Sequence, residues 1–127
     1  MALVTQEFIP DTRTPRMLHG DITDQRAWMQ HHVSPAHWLI PFPETAIAEL
    51  DEALDMFDRR PQPVHTLTLD QFPNLTACRR VMAQVYITLY QTGMAIIDRV
   101  PVERYRTEQN KVIYWLLGQM LGRVVDQ

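Results

Sequence analysis

Residues 93–122 constrain this chain most. They read Gly93, the apolar run Met94-Ala95-Ile96-Ile97, then Pro101, then a helical stretch closed by Gly122. The spacing predicts a strand from Met94 to Val100, ended by Pro101, which has no N–H to give to a ladder. A strand must pair its backbone donors and acceptors. The rest of the sequence offers few other strands. This segment is therefore expected to lie at the edge of a larger architecture.

Three helices are expected around it. Residues Glu44 to Arg60 carry Ile47, Leu50, Leu54 and Phe57 at helical spacing. Glu49, Asp51, Glu52 and Asp55 lie off that stripe and are expected to face water. Pro61 and Pro63 stop this helix. A second helix opens at Pro73-Asn74 and runs to Gln91 on Leu75, Cys78, Val81, Met82, Val85 and Leu89, with Tyr86 and Tyr90 beside the stripe. Gly93 sits where a left-handed cap belongs. The third helix has Thr107 as its expected N-cap, Glu108 in the first turn where the helix dipole favours it, and Ile113, Leu116, Leu117, Met120 and Leu121 on one face. Val64 to Leu69 reads as a short strand or an extended connector, with the connector preferred.

Residues 1–43 read as an irregular arm, broken by Pro10, Pro15, Pro35, Pro41 and Pro43. Asp24 is placed to cap a helical turn through Trp28 and His31. Trp28, Trp38, Leu39, Ile40 and Phe42 are too many large apolar groups for a solvated tail, so the arm is expected to drape over a hydrophobic surface. The expected fold is α+β and mostly helical, with about three helices and one or two short strands. Residues 1–43 form the arm and residues 44–127 the helical and strand segment.

With 127 residues, 46 % of them hydrophobic, the chain has enough material for a core and too little polarity for wholesale disorder. A net charge of −3 gives DNA or an anionic membrane no bulk electrostatic hold. The single cysteine, Cys78, excludes an internal disulfide and a cysteine-rich zinc site, and its place on a helical stripe marks it as a small buried residue. No apolar run approaches the ~18 residues of a membrane span, and no basic start leads into an apolar run. A cytoplasmic protein is expected.

Few residues suggest chemistry. His19-Gly20-Asp21 spells His-X-Asp and, with another histidine, has the composition of a non-haem iron site. Its place in a proline-punctuated arm argues against that role, because loosely held ligands must be ordered before they bind. His19 and Asp21 are thus only weak metal candidates. His31, His32 and His37 cluster, but Pro35 blocks a helix between the last two, and structural roles are expected. Asp51, Glu52 and Asp55 lack the cleft that general acid catalysis requires. There is no phosphate loop, dinucleotide fingerprint or nucleophile elbow. No catalytic residue and no metal ligand is assigned.

The ending just described, read together with the upstream residues, resembles a known family. Trp28, His31-His32, Ser34-Pro35, Glu49-Leu50-Asp51, Ala53-Leu54 and Asp70-Gln71-Phe72-Pro73 precede Gly93, the strand, the proline turn, Tyr114-Trp115 and the closing Leu121-Gly122. Over roughly residues 16 to 125 the chain resembles the N-terminal part of the taurine dioxygenase-like (TauD/TfdA) family. These are oxygenases that use ferrous iron and 2-oxoglutarate. The resemblance implies elements that flank or complete a double-stranded β-helix, the jelly roll of the full family fold. In the family the iron-binding His-X-Asp/Glu pair, the distant second histidine and the arginine that clamps 2-oxoglutarate all follow the region that these residues resemble. The resemblance therefore implies a scaffold that binds no cofactor alone. Fe(II), 2-oxoglutarate and hydroxylation belong to the complete enzyme, supplied by a missing region or a partner chain across an interface above ~2,000 Å². Tyr86, Tyr90, Ile96, Tyr114 and Trp115 are the candidates to flank substrate or to form that interface. The alternative is a self-standing, non-catalytic binding or structural protein, such as a homodimer paired through its lone strand.

Overall fold

The structure, a computed structural model, describes residues 19–23 and 27–125. The expected cap at Asp24 lies outside the described residues. The chain is α+β and mostly helical: β1 (Leu39–Pro41), α1 (Glu44–Arg59), α2 (Thr76–Thr92), β2 (Ile96–Asp98) and α3 (Thr107–Gln119), joined by short 3₁₀ turns.

The helices form for the reasons the sequence suggests. Pro43 holds extended backbone just before α1, and Gly93 ends α2 in the left-handed conformation at φ 75°. Its N–H closes on the Leu89 carbonyl at 3.0 Å. Most of the predicted stripe residues become the core, although Ile47 and Leu121 are only partly buried and Val112, outside the predicted stripe, joins it. Leu50, Leu54 and Phe57 from α1, Leu75 just before α2, Cys78, Val81, Met82 and Val85 from α2, and Val112, Ile113, Leu116 and Leu117 from α3 are all buried together. Each helix packs on the other two, and the α1–α2 contact is the most extensive.

No atom lies near the position a Cβ would take on Gly93, so only backbone strain opposes a side chain there. Gly93→Ala is expected to cost about 1 kcal/mol. Urea unfolding would measure it, and a change under ~0.3 kcal/mol would show that the left-handed cap does not matter.

Four expectations about elements need correction. The arm is not irregular throughout, because Leu39–Pro41 forms a strand parallel to β2. The strand expected over 94–100 shrinks to Ile96–Asp98, because the Arg99 N–H turns back to the Ile97 carbonyl at 2.8 Å with Arg99 at φ 73°. Residues 64–69 form the preferred connector rather than a strand, but the connector is not extended. They start two 3₁₀ turns, Val64–Thr66 and Leu69–Gln71. Thr107 is the first helical residue of α3 rather than its cap. Arg106 takes the cap position, and its N–H is satisfied by the Gln109 side chain at 3.0 Å.

The stripe of α2 also rotates near its end. Leu89 is exposed, while Thr88 and Thr92 are buried. The Thr92 hydroxyl donates to the Met94 carbonyl at 2.8 Å, so burial leaves no polar group stranded. In the arm, Ile40 and Phe42 reach the core, but Trp28 and Trp38 are only half-buried and Leu39 is exposed. The draping expected of all five residues holds for two.

Candidate functional site

α1 is the hub of the polar architecture. Glu49 and Asp51 were expected to face water, yet both, with Asp58, tie it to other elements. Leu75 occupies the N-cap of α2 and has no acceptor to offer. Glu49 supplies one from across the helix pair: its two carboxylate oxygens accept the Ala77 and Cys78 N–H groups at 2.8 and 2.9 Å. A carboxylate at a helix N-terminus is favoured by both hydrogen bonding and the helix dipole. Asp51 accepts the Tyr105 hydroxyl and the Arg104 guanidinium, each at 2.8 Å. Asp58 receives Arg106 at 2.7 Å and Gln109 at 3.1 Å. Glu52 and Asp55 remain exposed, as expected. Periodicity missed these ties because it shows which face is polar, not what packs against that face.

Two of these contacts make stability depend on pH. Burial pushes the Cys78 thiol up from 9.0 to about 12, and the neighbouring Glu49 carboxylate adds to it. The thiol donates to the Ala46 carbonyl at 3.4 Å. Burial and the Asp51 carboxylate likewise push Tyr105 from 10.0 to about 12. Both groups are acids raised in the fold. Their contribution is complete below the unfolded values and is lost as pH climbs from about 9 towards about 12. The melting temperature is therefore expected to fall across that window, and less steeply in Tyr105→Phe. Equal slopes for the two proteins would show that Tyr105 is not involved.

The second functional feature is the sheet. Its register pairs Leu39 with Ile96, Ile40 with Ile97 and Pro41 with Asp98. The Ile96 N–H donates to the Trp38 carbonyl at 2.8 Å. By the alternation of the pleat, the backbone groups of Ile97 point away from β1, and those of Leu39 and Pro41 point away from β2. Side chains alternate as well. Ile40 and Ile97 face the core, whereas the register partners Leu39 and Ile96 stand together on an exposed face. Among the described residues no third strand joins either edge.

The residues singled out in the sequence fall in different places. Tyr86 and Tyr90 meet on α2 with ring centroids 4.7 Å apart and their planes tilted by 53°. Ile96 is on the exposed sheet face, 47 % accessible. Tyr114 and Trp115 are neighbours in sequence but diverge. Tyr114 is 78 % exposed, while the Trp115 indole turns inward and donates to the Leu67 carbonyl at 3.1 Å. Gln119 donates to the same carbonyl at 3.0 Å, so Trp115 serves to hold the connector against α3.

His19 and Asp21 are both exposed. Among the described residues no three His, Cys, Asp or Glu side chains gather where they could hold a metal ion. The histidines of the arm have other work. His32 Nδ1 accepts the Met29 N–H at 3.2 Å, and His37 Nδ1 accepts the Ser34 N–H at 2.8 Å. A neutral ring whose Nδ1 accepts carries its proton on Nε2, where a metal would need a lone pair. In this arrangement His32 and His37 present an Nε2–H rather than a lone pair.

His32 and His37 also line a cleft of about 400 Å³ between the arm and the second half of α2, opposite Gln84, Gln91 and Thr92. The Trp28 indole donates to the Thr92 carbonyl and so fixes the arm at one end of it. Nothing in the periodicity of the arm pointed to this cleft.

No family model matches the chain, and neither a curated protein nor a solved structure matches it. Among the described residues no helix is long and apolar enough to cross a membrane.

Proposed function

We propose that the chain is the N-terminal scaffold of an Fe(II)/2-oxoglutarate-dependent oxygenase, non-catalytic alone and completed by polypeptide that carries the metal ligands. The oxygenase part of the reading rests on the resemblance to the taurine dioxygenase-like family. The observation that supports a scaffold is the two-stranded parallel sheet with one exposed face bearing Leu39 and Ile96. Parallel sheets occur almost only with both faces covered, and two strands alone are marginal in water. The completing polypeptide supplies further strands, the cover for Leu39 and Ile96, and the iron and 2-oxoglutarate site. Hydroxylation is then a property of the assembly.

Ile96→Asp tests this. Ile96 is exposed, so stability of the isolated chain is expected to change by less than ~0.5 kcal/mol. Association with the completing polypeptide should weaken at least ~30-fold, the effect of a charge placed at an apolar interface centre. The assembly should decarboxylate 2-oxoglutarate with ferrous iron, and the isolated chain should not. Turnover by the lone chain, or stoichiometric iron held by it, would overturn the reading. A stable, well-folded dimer that resists Ile96→Asp would do the same for the sheet as the docking face.

A further inference from the structure

We propose that the cleft between the arm and α2 binds a small uncharged amide with an apolar or aromatic body. This site is separate from the sheet face and stands whether or not the chain belongs to an oxygenase.

The argument begins with the two histidines. Each sits at the third position of a 3₁₀ turn, Gln30–His32 and Pro35–His37, and folds back so that Nδ1 accepts the N–H of the residue before the turn. The backbone thereby sets the tautomer. Each ring has a single polar atom left, an Nε2–H that donates. Gln84 and Gln91 stand across the cleft, one helical face apart by seven residues, and each offers a carbonyl and an NH₂. The polar side chains that line the cleft are therefore two imidazoles on the arm side and the amides of Gln84 and Gln91, with Thr88 and Thr92, on the α2 side.

That equipment selects among ligands. A transition metal needs a lone pair on Nε2, which the capping bonds deny it. An inorganic anion is usually held by arginine, lysine or a helix N-terminus. Among the described residues the lining contains no Arg, Lys, Asp or Glu, and it lies along the C-terminal half of α2, where the dipole disfavours negative charge. A carboxamide meets the remaining chemistry. Its carbonyl accepts from the imidazole Nε2–H groups and its NH₂ donates to a glutamine carbonyl. Trp28, anchored through its indole N–H, offers with Val33 an apolar surface for the body of the ligand. A volume near 400 Å³ suits a small molecule, at the lower end of ligand pockets.

The test uses the full chain, labelled with ¹⁵N, and three probes of one shape: benzamide, benzoate and benzylamine. Benzamide is expected to bind saturably at about 1 mM, a reasonable affinity for so few atoms. It should shift the Nε2 resonances of His32 and His37 and the Trp28 indole. Benzoate and benzylamine should bind at least tenfold more weakly. The double variant His32→Asn/His37→Asn keeps an acceptor for each backbone cap and removes each Nε2–H. It should retain the wild-type circular dichroism and lose at least tenfold in benzamide affinity. If it misfolds, the imidazole shifts of the wild type still decide the matter. Equal or tighter binding of either charged probe overturns the proposal. So does zinc binding through Nε2, benzamide binding that leaves the histidine resonances unmoved, or no saturable benzamide binding below ~10 mM.

Discussion

Leu50→Ala is expected to lower the unfolding free energy by about 3–4 kcal/mol. Leu50 is 1 % exposed and is among the largest fully buried side chains, with Leu75, Cys78, Val112 and Leu116. These residues come from all three helices and the turn before α2, so the cavity opens where every helix meets. Collapse around it is resisted, because α1 is held to α2 by Glu49 and to the segment before α3 by Asp51. A cavity that cannot fully relax lies above the low end of the Leu→Ala range. Domains are stable by about 5–15 kcal/mol in total. For a chain of 127 residues such a loss is a large part of that total, so this one change removes much of the margin. Urea unfolding with an unchanged m-value is the measurement. Tyr114→Ala is the control, expected within ~0.5 kcal/mol because Tyr114 is 78 % exposed. A Leu50→Ala loss below ~1.5 kcal/mol would mean that the helices repack freely and that the buried cluster is not the centre of the fold.

The helices and their inward faces were legible because each signal is local. Leu50, Leu54 and Phe57 recur at helical period, and the same period places Val81, Val85, Ile113 and Leu116 inward. Gly93 announced its cap because a left-handed residue at a helix end favours glycine. β1 was not legible. Leu39-Ile40-Pro41 is three residues long and ends in proline, and only its pairing with Ile96–Asp98 makes it a strand. The end of β2 is also set non-locally, where Arg99 takes positive φ without being glycine. Among the site features, the exposed Leu39–Ile96 pair follows from register, which no single strand encodes. The cleft at His32 and His37 depends on two 3₁₀ turns brought against α2, residues that the sequence alone places in an irregular arm. The acidic face of α1 was legible as acidic and misleading as solvated, since a helical pattern cannot tell water from the end of another helix.

Glu49→Ala is expected to cost about 2–3 kcal/mol, a loss far above that of an ordinary surface carboxylate. Its oxygens accept the second and third N–H groups of α2, the pair that a side chain at the helix N-cap satisfies elsewhere. Leu75 cannot replace them, because its side chain is apolar and buried in the core. The two donors would be left partly buried and unpaired, and the helix dipole would lose its compensating charge. Two comparisons isolate the effect. Glu52→Ala, three residues along the same helix, removes an exposed carboxylate whose Asn74 contact is 3.4 Å long, and should cost less than ~0.5 kcal/mol. Glu49→Gln keeps one acceptor without the charge and should fall between the two. A second readout follows from Cys78. Burial is the main reason its thiol stands near 12, and the Glu49 carboxylate adds to it, so Glu49→Gln should bring the thiol down and speed its alkylation at pH 9 once global unfolding is accounted for. If Glu49→Ala costs no more than Glu52→Ala, the contact between α1 and the start of α2 is incidental to stability, and α2 must be capped by water.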